Sequence, residues 1–205
     1  MDRRTYPLSL LVENLLAKEK NKIVLEIGTG SISTPFFYRK CKKYSHKFHT
    51  VDIKSRFKCL NDDTMTSHHI GGSDFLKNFN NPVYFCYLDN YDWINHWENT
   101  DPEFKGLSKE NSEKIHLEQS ILLYPKLEEN SYILFDDTGV ETEKEVTPDY
   151  INNTPSIKFY GKGALAIPYL MEKDMKILGY SANHGHGGRP NTHDQILLEK
   201  NYGKN

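Results

Sequence analysis

Apolar positions in the chain recur at two alternating periods, and that alternation predicts the architecture. Leu8, Leu11, Val12, Leu15 and Leu16 fall at helical spacing, so residues 7–19 read as an amphipathic helix. Asn21-Lys22 breaks the pattern, and Ile23–Ile27 follows as a short apolar strand running into Gly28-Thr29-Gly30. Thr34-Pro35 offers a capping hydroxyl and a proline at the first helical position, which predicts a helix through Phe36 to about Tyr44. His49–Val51 reads as the next strand, with Asp52 at its end. Val83–Leu88 and Ser131–Phe135 are nearly continuous apolar runs, the pattern of strands buried on both faces, and they end at Asp89 and at Asp136-Asp137. Between them lie a polar insertion at about 91–111 and a helix over about 112–124, with Leu117, Ile121 and Tyr124 on one stripe. Residues 162–173 are expected to be helical, kinked or shortened by Pro168. Met175–Tyr180 and Gln195–Glu199 read as the last two strands.

Strands alternating with helices imply a mostly parallel, doubly wound α/β sheet, and nothing divides residues 1–205 into more than one domain. Ligands in such sheets bind beyond the carboxyl ends of the strands, which is where Asp52, Asp89, Asp136 and Asp137 fall. Composition narrows the class. An apolar share of 37% supports a full core, and 26 basic against 28 acidic residues argue against a chain whose main work is gripping a phosphate backbone. A local basic patch remains compatible with that count. Cys41, Cys59 and Cys86 lack any CxxC spacing and read as reduced thiols, which fits a cytoplasmic protein. The first residues are too short and too polar for a signal peptide or a membrane span, so no membrane partner is expected.

The turn Glu26-Ile27-Gly28-Thr29-Gly30-Ser31 follows a strand and opens a helix, a context in which glycines let backbone approach a ligand. A plain strand–helix turn is the alternative. It is not the dinucleotide pattern GxGxxG, because Ser33 stands at the third glycine position. Asp52, 24 residues past Gly28, can accept both hydroxyls of a ribose, or can simply be a solvated strand end. Gly71-Gly72-Ser73-Asp74 is a small-plus-acidic turn that either meets an adenine amino group or caps a helix.

Three carboxylates converging at adjacent strand ends would repel one another unless a cation or protons neutralise them. Alternatively, Asp137 caps the segment that follows it. Asp92 shares the loop of Asp89 and is the first candidate for a general base. His116 is the second, though a single helix histidine also reads as a core or surface residue. Tyr91, Trp93 and Trp97 suit the wall of an acceptor pocket or the packing of their own loop. His184, His186 and Arg189 suit an anionic acceptor or a solvated glycine-histidine loop, and their spacing is no zinc signature.

These residues together resemble the class I S-adenosylmethionine-dependent methyltransferases over nearly the whole chain. Tyr87-Leu88-Asp89, Leu123-Tyr124-Pro125-Lys126-Leu127 and Tyr132–Asp137 resemble, more narrowly, the metal-dependent small-molecule O-methyltransferases of the catechol and macrocin type. The resemblance implies a Rossmann-like, seven-stranded sheet with helices on both faces. It implies that Glu26, Gly28, Gly30, Asp52 and Asp74 contact S-adenosylmethionine, with Thr29, Thr34, Ser73 and Asp89 as further candidates. It implies Mg²⁺ at Asp89, Asp136 and Asp137, and methyl transfer to a hydroxyl of a small-molecule acceptor. The chain departs from the family pattern after Asp89, where the usual basic lysine or aspartate is replaced by Asp92 and Tyr91. Competing readings are a domain that binds the cofactor without catalysis and a methyltransferase acting on nucleic acid or protein. Asp89-Asn90-Tyr91-Asp92 is not the turn of adenine-N6 enzymes, and no Pro-Cys dipeptide offers a cytosine nucleophile.

Overall fold

Apolar strands hidden on both faces need helices on both faces, and the chain supplies them. The computed structural model describes residues 8–54, 62–90, 108–142, 146–181 and 194–200. In chain order the strands are β1 (Ile23–Ile27), β2 (Lys47–Val51), β3 (Met65–His68), β4 (Val83–Leu88), β5 (Leu127–Phe135), β6 (Thr138–Val140), β7 (Phe159–Gly161), β8 (Met175–Ser181) and β9 (Gln195–Lys200). The helices are α1 (Ser9–Leu16), α2 (Ser33–Tyr44), α3 (Gly72–Asn78), α4 (Lys109–Leu123), α5 (Pro148–Asn152) and α6 (Ala166–Glu172). Seven strands form one sheet in the order β3-β2-β1-β4-β5-β9-β8, and β6-β7 make a separate two-stranded hairpin. All pairings from β3 to β5 are parallel, while β9 runs antiparallel to both its neighbours. This is the mostly parallel, doubly wound sheet that the alternating periods predict, with the Rossmann-like, seven-stranded form that the resemblance implies.

Strand order reverses between β1 and β4, the point at which such sheets open a ligand crevice. One core cluster, with Leu25, Ile27, Phe75, Cys86, Ile133 and Ile167, covers one face. The other, with Leu16, Val24, Phe37, Phe48, Phe85 and Leu134, covers the opposite face under α1 and α2. Cys41 and Cys86 are buried free thiols. Among the described residues no helix is long and apolar enough to cross a membrane.

Four local expectations change. Residues 162–165 are not helical; α6 begins at Ala166 and places Pro168 in its first turn, where no intrahelical N–H is needed. Pro168 therefore shortens the element instead of kinking it. Helix α4 starts at Lys109 because Ser108 caps it, its side chain accepting from Asn111 N at 3.1 Å. The buried stripe of α4 is Ser112, His116, Gln119, Ser120 and Leu123, not the Leu117–Ile121–Tyr124 stripe, and Ile121 is exposed. Finally, Thr34 does not cap α2; its hydroxyl reaches Glu26 instead.

Candidate functional site

The site positions are lined up by the hydrogen-bond ladder of the sheet itself. Past the last paired residues, Asp52 N donates to His68 O (3.1 Å) and Gly28 N to Val51 O (2.8 Å). Asp89 N donates to Ile27 O (2.9 Å) and Asp136 N to Leu88 O (3.1 Å). One edge thus carries, in order, Asp52, Gly28, Asp89 and Asp136.

At the β1 end, Glu26 is completely buried. Its Oε2 accepts from Thr34 Oγ1 (2.6 Å) and Thr50 Oγ1 (2.7 Å), and its Oε1 has no hydrogen-bond partner among the described residues. Burial pushes this carboxyl up to about 8, against the pull of the surrounding hydroxyls. Thr34 Oγ1 also accepts from Gly30 N at 3.1 Å, which ties the glycine turn to the carboxyl. Gly28 has φ +97°, and a Cβ there would collide with the backbone of Asp89 and Asn90. A side chain at Gly28 would therefore strike the neighbouring strand end. A Cβ on Gly30 would meet only the Ser33 hydroxyl within close range.

Asp52 closes the turn. Its Oδ2 accepts from Thr29 N (2.9 Å) and Thr29 Oγ1 (2.6 Å), and its Oδ1 from Lys54 N (2.8 Å). A carboxylate offers about four lone-pair sites, so Asp52 can hold the turn and still accept from a ligand hydroxyl. Ser73 Oγ donates to Glu118 Oε2 of α4 (2.8 Å), and Asp74, in the first turn of α3, pairs with Lys77 at 3.4 Å in an exposed position. Gly72 fits closely between Ile27 and Gln119, where a Cβ would clash with both.

At the ends of β4 and β5, Asp89, Asp136 and Asp137 present oxygens that all lie within 4.8 Å of one another. Sequence reasoning brought these three together and missed what lies among them. Lys162, fully buried, places Nζ 2.6 Å from Asp89 Oδ1 and 2.9 Å from Asp137 Oδ2. Tyr87 Oη lies 2.8 Å from Asp136 Oδ2 and 3.1 Å from Asp89 Oδ2, and Gln195 Nε2 donates to Asp136 Oδ1 at 2.9 Å. Burial and the charges of Asp89 and Asp137 raise Asp136 well above the usual carboxylate range, Lys162 and Gln195 opposing them. A phenol has one hydrogen and cannot donate to both acids. It donates to Asp136 or to Asp89, one at a time.

The resemblance implies Mg²⁺ at these three acids. Mg²⁺ needs hard oxygens at about 2.1 Å in octahedral array. Here an ammonium already bridges two of the three carboxylates, so a metal does not fit beside Lys162.

His116 is fully buried on α4, its Nδ1 2.7 Å from Ser112 O. Nδ1–H therefore donates to that carbonyl and Nε2 is the bare nitrogen. Burial, with the nearby Lys162 charge, lowers the imidazole to about 3, so it is neutral and a weak proton acceptor at neutral pH. Tyr91, Asp92, Trp93, Trp97, His184, His186 and Arg189 lie outside the described residues.

No protein-family profile matches the chain, and no curated protein matches it in sequence. Solved structures do match. A protein of Streptococcus mutans assigned as a methyltransferase and solved with SAH is 13% identical, covers 93% of this chain and 96% of its own, and has a TM-score of 0.57. An rRNA methylase of Streptococcus thermophilus is 12% identical, with coverage of 94% and 95% and a TM-score of 0.55. A Listeria monocytogenes protein assigned as an S-adenosylmethionine-dependent methyltransferase is 10% identical, with coverage of 89% and 92% and a TM-score of 0.52. At these identities the likeness establishes a shared fold.

Proposed function

We propose that the chain binds S-adenosylmethionine across the β1–β4 crevice and transfers its methyl group to a hydroxyl of a small acceptor seated over Asp89. The observation that carries this reading is the ordered edge Asp52–Gly28–Asp89–Asp136, fixed by backbone hydrogen bonds at the strand reversal. In it, Gly30 leaves room for the methionine end of the cofactor, Gly28 lets the turn pass close to the end of β4, and Asp52 accepts from the ribose. Thr29 and Thr34 hold that turn to Asp52 and Glu26. Ser73 and Asp74 open α3 beside it, on the adenine side.

Of the three clustered acids, Asp89 is the least buried, its side chain 20% exposed against 8% for Asp137. It is therefore the carboxylate that an acceptor reaches. Held by Lys162 and Tyr87, it is oriented to receive the acceptor hydroxyl and align it with the methyl group. Asp92, three residues on, takes the proton in this reading, and the sequence alone carries that role. The likeness to an rRNA methylase favours a second reading, in which the acceptor is RNA.

The test is transfer of labelled methyl from S-adenosylmethionine to a panel of hydroxylated small molecules and to structured RNA. Labelling of a small hydroxyl, lost in Asp89→Asn, supports the first reading. Labelling confined to RNA overturns it in favour of the second, and the absence of any transfer by a chain that binds cofactor leaves a binding domain without catalysis.

A further inference from the structure

We propose that Lys162 is a tethered cation standing where a divalent metal would stand among Asp89, Asp136 and Asp137, so that this acceptor site is built to work without metal. The proposal deepens the function proposed above and rests on it for the meaning of the site, though not for the binding test.

Three features of the chain support it. The ammonium is fully buried and bridges Asp89 and Asp137 at 2.6 and 2.9 Å. A buried ammonium is tolerated only beside such partners, and the carboxylates in turn need its charge. The second feature is the way the backbone delivers it. Asp137 turns with φ +47° and β6 and β7 pair antiparallel, so Gly161 returns beside the strand end with φ +81°. Lys162 N then donates to Asp137 O (3.2 Å) and Gly163 N to Thr138 Oγ1 (2.8 Å), while Thr138 Oγ1 donates to Asp136 O (2.9 Å). Residues 161–163 are stitched to 136–138, so Lys162 cannot swing aside as a surface lysine does. A Cβ at Gly161 would collide with Asp137 O, which makes this return path dependent on glycine.

The third feature is that other groups complete Asp136. Tyr87 and Gln195 occupy the oxygens of Asp136, so a phenol and an amide satisfy that carboxyl while the ammonium offsets part of the charge of Asp89 and Asp137. A divalent ion within a few ångströms of Lys162 would meet direct charge repulsion in a water-poor setting.

The experiment uses Tb³⁺ alone as the probe, since Tyr87 at hydrogen-bond distance from two of the acids can sensitise its emission. Wild type, Lys162→Gln and Lys162→Ala are titrated, each with and without Asp136→Asn, and melted with and without Mg²⁺. Wild type is expected to show no Tb³⁺ emission that depends on Asp136. Removing the ammonium should tighten Tb³⁺ binding at least about a hundredfold, in line with the loss of one adjacent like charge. The melting temperature of the Lys162 variants, and not of wild type, should then rise with Mg²⁺. Wild-type Tb³⁺ binding that Asp136→Asn abolishes overturns the proposal, as does a folded Lys162 variant that binds no more tightly than wild type. If neither variant folds, the wild-type pair decides alone: silence supports the tethered cation and Asp136-dependent binding refutes it. Titration with S-adenosylhomocysteine runs separately, so failure of cofactor binding counts against the proposed function and not against Lys162.

Discussion

Replacing Glu26 by Gln removes an ionisation while keeping an oxygen able to accept from Thr34 and Thr50. In the folded chain the Glu26 carboxyl is raised from 4.5 to about 8 by burial, so it keeps its proton through neutral pH. The unfolded chain loses that proton near its ordinary value. Between the two, the folded state binds more protons, and raising the pH favours unfolding. The stabilisation from protonated Glu26 is therefore full below about 4.5 and is lost as pH climbs towards about 8. At about 1.36 kcal/mol per unit, the gap amounts to about 5 kcal/mol, a ceiling that side-chain relaxation and water entry reduce. The assay is urea denaturation of wild type and Glu26→Gln at about pH 5, 6.5 and 8, with other titrating groups cancelling in the difference. Wild type should lose about 2–3.5 kcal/mol relative to the variant across that range. The ammonium of a bound S-adenosylhomocysteine favours ionised Glu26, so its affinity should rise with pH in wild type and stay flat in the variant. A stability difference constant to within about 0.5 kcal/mol would refute the burial argument, because it would mean Glu26 ionises alike in both states.

Asp52→Ala should weaken S-adenosylhomocysteine binding about tenfold to a hundredfold by calorimetry, from loss of a charged acceptor worth roughly 1.5–3 kcal/mol. It should also loosen the turn at Thr29, seen as faster amide exchange there, because Asp52 holds Thr29 directly. Gly28→Ala should lower stability by about 1–3 kcal/mol or prevent folding, since it combines a positive φ with a backbone collision. Gly30→Ala meets a side-chain hydroxyl only, so it should be milder and partly rescued by Ser33→Ala, both read by thermal melting.

The parts of this fold that could be read from sequence are those whose signal is local. Strands β1, β4 and β5 are apolar runs long enough to announce burial on both faces, and their terminal acids follow from where the runs stop. The start of β5 at Leu127 was hidden because Glu128, Glu129 and Asn130 interrupt the run, with Asn130 at φ +56° and a register shift opposite Val83–Phe85. Strand β3, Met65–His68, has no apolar run to betray it. Helix α4 misled the reading because its buried face carries Ser112, His116, Gln119 and Ser120, so the apolar stripe points elsewhere. A polar face buried on a helix is itself a signal of a site, available only once burial is known. Lys162 shows the same limit: it reaches Asp89 across 73 residues of sequence. The charge argument that three acids need a counter-ion was sound, and the glycine-bracketed Lys162 between Gly161 and Gly163 was its local trace. Thr50 was missed because its hydroxyl matters only through Glu26 on the adjacent strand.

The central claim is a cofactor site at the β1–β4 crevice, and calorimetric titration of the full chain with S-adenosylhomocysteine tests it most directly. The account predicts saturable binding of one ligand per chain, weakened by Asp52→Ala and abolished by Gly30→Val in variants that still melt cooperatively. A folded wild-type chain that gives no binding, or binding untouched by both substitutions, contradicts it.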